Sequence, residues 1–319
     1  MSCRRVLSVL SLAWGWPVWT ACYASHGDSG EDVADGGAES VADADSGSDA
    51  DVGFDVTCPS AMACGPLECP SDMVLVPCGP FVMGPDETGN IDRVQVVCMS
   101  AYCIDRTEVS WAAWDACVAA GGCPPIACAG RSHEPVTCAT RTAAESYCRW
   151  AGKRLATDAQ WEKAARGGCE VVAPATCGPE DMRPYPWGDA APTCDLANFR
   201  SEEGESCLPF GAVDAVDARP AGASPYGALN MAGNAPELVG DDWLPSYVMS
   251  LPPGALDPPG PPGYGWACVI HRGGGSAGRA GDLWALMVSN RWASSSCYLS
   301  PSATNEDLRP GGFRCTYPP

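Results

Sequence analysis

The chain has 319 residues, 46% of them hydrophobic, with 20 cysteines and 39 acidic against 19 basic side chains. A formal charge of −20 argues against a nucleic-acid or anionic-lipid surface, because phosphates would be repelled rather than neutralised. Three histidines (His26, His133, His271) exclude most histidine-rich metal enzymes, and only two lysines occur (Lys153, Lys163), so any basic patch is built from arginine.

From the amino terminus, Arg4 and Arg5 precede an apolar run from Val6 to Trp19 and small residues before Cys22. This reads as a secretory signal over residues 1–22, too short for a spanning helix. Val18–Cys22 also resembles a bacterial lipobox, in which Cys22 is lipidated; plain cleavage is the competing reading. Residues 23–56 read as an acidic, disordered tether: ten acids, no Lys or Arg, and few apolar side chains to offset the entropy of ordering. The expectation is an exported protein, periplasmic or at the cell surface, meeting the membrane only through that lipid.

Residues 57–319 read as one domain, with 17 basic against 29 acidic side chains, net −12. Its cysteines show no CxxC pair, which disfavours a zinc ribbon and favours disulfides made in an oxidising compartment. Strands are expected at Met73–Val76 and Phe81–Met83 with a turn over Pro77–Pro80, then at Val94–Val97 and Tyr102–Asp105. Ser110 caps a helix running to Ala120 and stopped by Gly121 and Gly122. Thr142 with Glu145, and Thr157 with Gln160, read as capping boxes for helices ending at Gly152 and Gly167. Beyond residue 169 glycine and proline dominate, with short strands at Ala267–His271 and Gly312–Thr316. The fold class is α+β, irregular, loop-rich and disulfide-stapled.

In order, the landmarks Met73–Gly84, Tyr102–Ser110, Ala144–Gly168, Tyr185–Gly188, Asn198–Phe199, Tyr226–Asn234, His271–Ser276 and Gly312–Cys315 resemble the sulfatase-modifying-factor family, that of the formylglycine-generating enzyme. The resemblance implies a fold related to C-type lectin domains, opening on a hairpin at Met73–Met83. It implies a Cys148–Cys315 disulfide, and the loss of a second family bridge where Ala165 and Trp292 stand. Trp150, Trp161 and Trp187 are expected to pack, and Arg154, Glu162 and Arg166 to form polar networks that fix loops.

The resemblance also implies calcium as a cofactor, held by Asn230, Gly233, Ala235 and Glu237, oxygen donors suited to a hard cation. A second calcium site begins at Asn198 and Phe199, with no clear acidic counterpart near Leu208. Catalysis is where the sequence departs. The family's two copper(I)-binding cysteines fall at Arg279 and Trp284, neither of which ligates copper(I), so copper is not expected. Cys268 and Cys297 flank the region as possible displaced ligands. No HxxxH pair offers a nonheme-iron site, and no GxSxG elbow a serine hydrolase. The expected function is therefore a non-catalytic, calcium-stabilised binding or structural module, a pseudoenzyme. Its former groove is lined by Arg272, Ser276, Arg279, Trp284 and Arg291, and its ligand is an unidentified peptide or protein. The alternative is an oxygen-dependent oxidoreductase of the formylglycine-generating type with displaced ligands.

Overall fold

The computed structural model describes residues 56–85, 94–171, 178, 182–200, 206–244, 246–261, 268–275, 283–293 and 311–318. Residues 1–22 and almost all of the acidic segment after them lie outside this set. Among the described residues no helix is long and apolar enough to cross a membrane.

Strands β1 (Met73–Val76) and β2 (Gly79–Met83) are adjacent in sequence but do not form the expected hairpin. β2 pairs antiparallel with β3 (Gln95–Met99), whereas β1 pairs antiparallel with β4 (Tyr102–Asp105). The cause lies in the buried Lys163, whose ammonium donates to the carbonyls of Pro77 (2.7 Å) and Gly79 (3.0 Å) and fixes the link as a crossing between sheets. Gly79 sits at φ 143°, a conformation closed to most side chains.

Three helices follow the sequence signals closely. α1 (Trp111–Ala119) is capped by Ser110 and buries Trp111, Trp114 and Cys117 on one stripe. α2 (Arg141–Trp150) begins two residues earlier than expected: Thr140, not Thr142, is the cap, its hydroxyl accepting the Ala143 amide at 3.2 Å. After the two-residue strand β5 (Arg154–Leu155), α3 (Asp158–Arg166) carries both halves of the Thr157–Gln160 capping box and stops at Gly167. Thr140→Ala is expected to cost about 1 kcal/mol in denaturant unfolding and Thr142→Ala close to nothing, since only the first strips an amide of its acceptor.

The later chain adds β6 (Glu237–Asp242), the single turn α4 (Tyr247–Ser250), β7 (Ala255–Leu256), β8 (Val269–Arg272) and β9 (Trp292–Ala293). The expected strand Gly312–Thr316 is broken at Arg314. β10 (Gly312–Phe313) pairs parallel to β6, and β11 (Cys315–Tyr317) pairs with β4 and β5 in another sheet. Three sheets result, ordered β1-β4-β11-β5, β10-β6-β8-β9 and β2-β3-β7. One core cluster gathers Trp161, Phe81, Ile104, Met231 and Ile270; another packs Trp114, Tyr147 and Phe313 between α1, α2 and β10.

Every described cysteine is disulfide-bonded. Cys58–Cys98, Cys64–Cys78 and Cys69–Cys103 bind the strandless segment before β1 to β3, to the link before β2, and to β4. Cys117–Cys123 and Cys128–Cys138 close local loops after α1, and Cys194–Cys207 another. The implied Cys148–Cys315 bridge is present, with Cα atoms 5.6 Å apart, tying α2 to β11. The lost family bridge leaves Ala165 fully buried in α3 and Trp292 exposed on β9.

Candidate functional site

Asn230 to Glu237 form a tight loop whose backbone needs left-handed conformations at Asn230 (φ 55°), Gly233 (83°) and Asn234 (62°). A Cβ at Gly233 would lie 2.6 Å from the Asn198 carbonyl, so only glycine lets the two segments meet. Hydrogen bonds from the Gly233 amide to the Gly273 carbonyl and from the Asn234 amide to the Asn198 carbonyl hold the loop down. All the polar side chains here are buried.

The Glu237 carboxylate is already committed. It accepts from Arg314 Nε (2.7 Å) and Nη2 (2.5 Å), and from Trp161 Nε1 (2.8 Å). Asn230 Nδ2 donates to Glu108 (2.8 Å) and to the Val216 carbonyl, while Asn234 Nδ2 donates to the other oxygen of Glu108 (2.9 Å). Burial, and next the nearby charge of Glu237, push the Glu108 carboxyl up to about 8. Of the expected ligands, Glu237 fits calcium poorly, because a cation would have to displace the Arg314 guanidinium. Among the described residues no group of three or more His, Cys, Asp or Glu converges as a cage.

Asn198 Oδ1 is buried with no hydrogen-bond partner, while Asn198 Nδ2 and the Asp214 amide both donate to Asn234 Oδ1 (3.2 and 2.7 Å). The Asp214 backbone thus reaches the Asn198–Phe199 corner, while its carboxylate is paired with Arg219 at 2.8 Å.

A second network centres on Glu162, fully buried on α3. It is salt-bridged by Arg166 (2.9 Å), Arg272 (2.7 Å) and Arg291 (2.5 Å). Burial alone would raise this carboxyl; Arg291, Arg272 and Arg166 together outweigh it and hold it at about 2. Asp158, one turn earlier, takes Arg291 Nε at 2.6 Å and faces Arg272 Nε at 3.2 Å. The arginines then reach backbone. Arg272 donates to the carbonyls of Val288, Ser289 and Asn290, and Arg166 to that of Gly84. Arg291 reaches the carbonyl of Pro85, and the Gly84 amide returns to Glu162. Arg272 also lies over the Trp161 ring, 4.9 Å from its centroid. Glu162 and Arg166 thus fix loops, as expected.

This placement corrects part of the expected groove. Arg272 is fully buried and points inward at Asp158 and Glu162, drawn there by their charges, and Arg291 joins it with only its edge on a cavity. Trp284 does face solvent, 50% exposed on a 3-10 turn, Leu283–Leu286, whose other side packs toward Tyr185 and Phe199. Ser276 and Arg279 lie outside the described residues, as does Cys297. Cys268 is disulfide-bonded and offers no thiolate in this form. Of the histidines, His271 is buried in β8 and His133 is exposed on a loop. Trp161 is a core residue, whereas Trp150 is exposed and Trp187 half-buried, stacked on Tyr185.

A family model described as the sulfatase-modifying factor enzyme 1-like domain matches residues 62–317. The chain belongs to this family. It is 34% identical over 200 residues to hercynine oxygenase of Mycolicibacterium smegmatis, covering 50% of this chain and 43% of that protein. It is 35% identical over 155 residues to the formylglycine-generating enzyme of Streptomyces coelicolor, covering 45% of this chain and 43% of that one. The chain therefore spans less than half the length of these curated relatives. Among solved structures, PvdO from Pseudomonas aeruginosa superposes with a TM-score of 0.52 at 20% identity, over 81% of this chain and 99% of that one. Treponema denticola variable protein 1 gives 0.53 at 19% identity, over 76% and 94%. Both likenesses concern the fold, mixed α/β with few helices and long irregular loops.

Proposed function

We propose that this chain is an exported, lipid-anchored member of the sulfatase-modifying-factor family that binds a peptide or protein partner rather than oxidising one. One observation carries the reading: the family's two copper-ligand positions hold Arg279 and Trp284, and the nearby Cys268 is consumed in a disulfide. Soft thiolates are what hold copper(I), and none is free among the described residues. The exposed Trp284 would then be a contact for the partner. Lipidation at Cys22 and an acidic, self-repelling tether would hold the domain away from the membrane. Calcium would be held at the Asn198–Asp214 corner, where the buried Asn198 Oδ1 keeps a lone pair with no hydrogen-bond partner.

Anaerobic copper(I) titration of the purified full domain, disulfides intact, tests the central claim. The expected result is no stoichiometric binding and no oxygen consumption with cysteine-containing peptides. One tight equivalent of copper(I) that Cys268→Ser or Cys297→Ser abolishes overturns it in favour of the oxidoreductase reading. A parallel calcium titration is expected to raise the thermal midpoint by several degrees, and Asn198→Ala to abolish that shift.

A further inference from the structure

β6 ends against the start of α3, and there two buried carboxyl groups meet. Asp241 accepts the backbone amide of Asp158, the first residue of α3; the side chains are both buried, 6% and 2% exposed. Four acids and four arginines share this region. Asp242 on β6 pairs with Arg141 of α2 at 2.6 Å, while Asp158 and Glu162 of α3 take Arg166, Arg272 of β8 and Arg291. Among the described residues Asp241 is the one acid of the four without a salt bridge.

What covers Asp241 is the segment 246–261. A Cβ at Gly260 would fall 2.2 Å from Asp241 Oδ1, so the Gly260 backbone rests directly on the carboxyl. The α4 turn lies alongside, and its Tyr247 hydroxyl meets the Gly260 backbone. A cavity of about 10 Å³, the space of one water molecule, remains between Asp158, Asp241, Trp243, Tyr247, Val248 and Arg291. The segment turns through left-handed residues at Ser246 (φ 61°), Gly254 (73°), Asp257 (44°) and Gly260 (82°). Its middle is pinned to the β2-β3-β7 sheet by the Gly254 and Asp257 amides, which donate to the carbonyls of Val96 and Cys98.

We propose that the Asp158–Asp241 pair is a pH-set latch for this segment: protonated Asp241 lets 246–261 close over it, and ionisation loosens the cover. Burial, then the charge of Asp158, push the closed-state carboxyl up to about 7; the Asp158 amide, Arg141 and Arg291 pull the other way without prevailing. With the ends of the segment lifted from Asp241 while β7 stays paired, Asp241 meets water and returns toward the ordinary carboxylate value near 3.9. Closing therefore takes up a proton. The closed population falls as pH rises from about 4 to about 7 and is pH-independent above that window, by at most about tenfold per pH unit. A segment closed in mildly acidic surroundings and looser at neutral pH would expose Trp243 and the cavity behind it.

Hydrogen–deuterium exchange of the full chain between pH 5 and 8, corrected for the intrinsic exchange rate, tests this. Protection of 246–261 is expected to fall several-fold per pH unit up to about pH 7 and then level. Amides of α2 should not follow, Asp241→Asn should flatten the slope, and Asp242→Asn should preserve it. A flat wild-type profile, or a slope kept by Asp241→Asn, overturns the latch. Should Asp241→Asn fail to fold, carboxyl carbon-13 titration of the wild-type protein decides instead: Asp241 titrating near 4 overturns it, and near 7 supports it.

Discussion

Replacing Cys148 and Cys315 together by alanine is expected to lower the unfolding free energy by about 5 kcal/mol, a third or more of the roughly 5–15 kcal/mol that folded domains ordinarily possess. The bridge spans 167 positions, and in the chain-entropy description the constraint it places on the unfolded chain grows with the logarithm of that loop. Native geometry adds to the effect. Both cysteines are fully buried beside Tyr147 and Phe313, and β11 lies between β4 and β5, so its release opens the first sheet from within. The companion variant lacking Cys117 and Cys123, whose separation is 6, is expected to lose only about 2 kcal/mol. Guanidinium unfolding under non-reducing conditions, with the remaining bridges verified, measures both. Equal losses from the two variants would show that loop closure is not what the long bridge supplies.

How much of this was legible beforehand depended on whether a residue's role is local. Ser110, Thr157 with Gln160, and Gly167 act within one helical turn, and the sequence placed the ends of α1 and α3 correctly from them. Thr142 misled because Thr140 offers the same hydroxyl two residues earlier, and only the direction of the incoming chain selects between them. The apparent hairpin at Met73–Met83 failed for a distant reason, the Lys163 ammonium arriving from α3. β6 was not foreseen as a strand because Glu237-Leu-Val-Gly-Asp-Asp242 looks polar. In the fold its charges are neutralised from afar, by Arg314 for Glu237 and Arg141 for Asp242. The candidate site divides in the same way. The expectation that Arg279 and Trp284 replace the family's copper cysteines rests on position along the chain, whereas the inward turn of Arg272 depends on Glu162, 110 residues away.

Arg314→Met is expected to cost about 3–5 kcal/mol, because it strands a buried carboxylate. Arg314 sits in the break between β10 and β11, where the chain passes from one sheet to another, and its guanidinium is fully buried. Nε and Nη2 hold Glu237 on β6; Nη2 also donates to the Leu229 carbonyl, and Nη1 to that of Asp105 on β4. Without it Glu237 keeps the Trp161 donor alone while facing the Glu108 carboxyl. Removing both charges, as Arg314→Met with Glu237→Gln, is expected to recover a good part of the loss, since the double variant leaves no uncompensated ion. The same pair of variants separates the two positions available to calcium. If the cation binds at the Asn198–Asp214 corner, calcium stabilises the wild type and the double variant alike, because neither Arg314 nor Glu237 takes part. If it binds through Glu237, it must compete with the guanidinium: calcium would then help wild type little, rescue Arg314→Met strongly, and do nothing for the double variant. Thermal melts of the three proteins with calcium and with chelator give the answer, and strong rescue confined to Arg314→Met would return the ion to the Asn230–Glu237 loop.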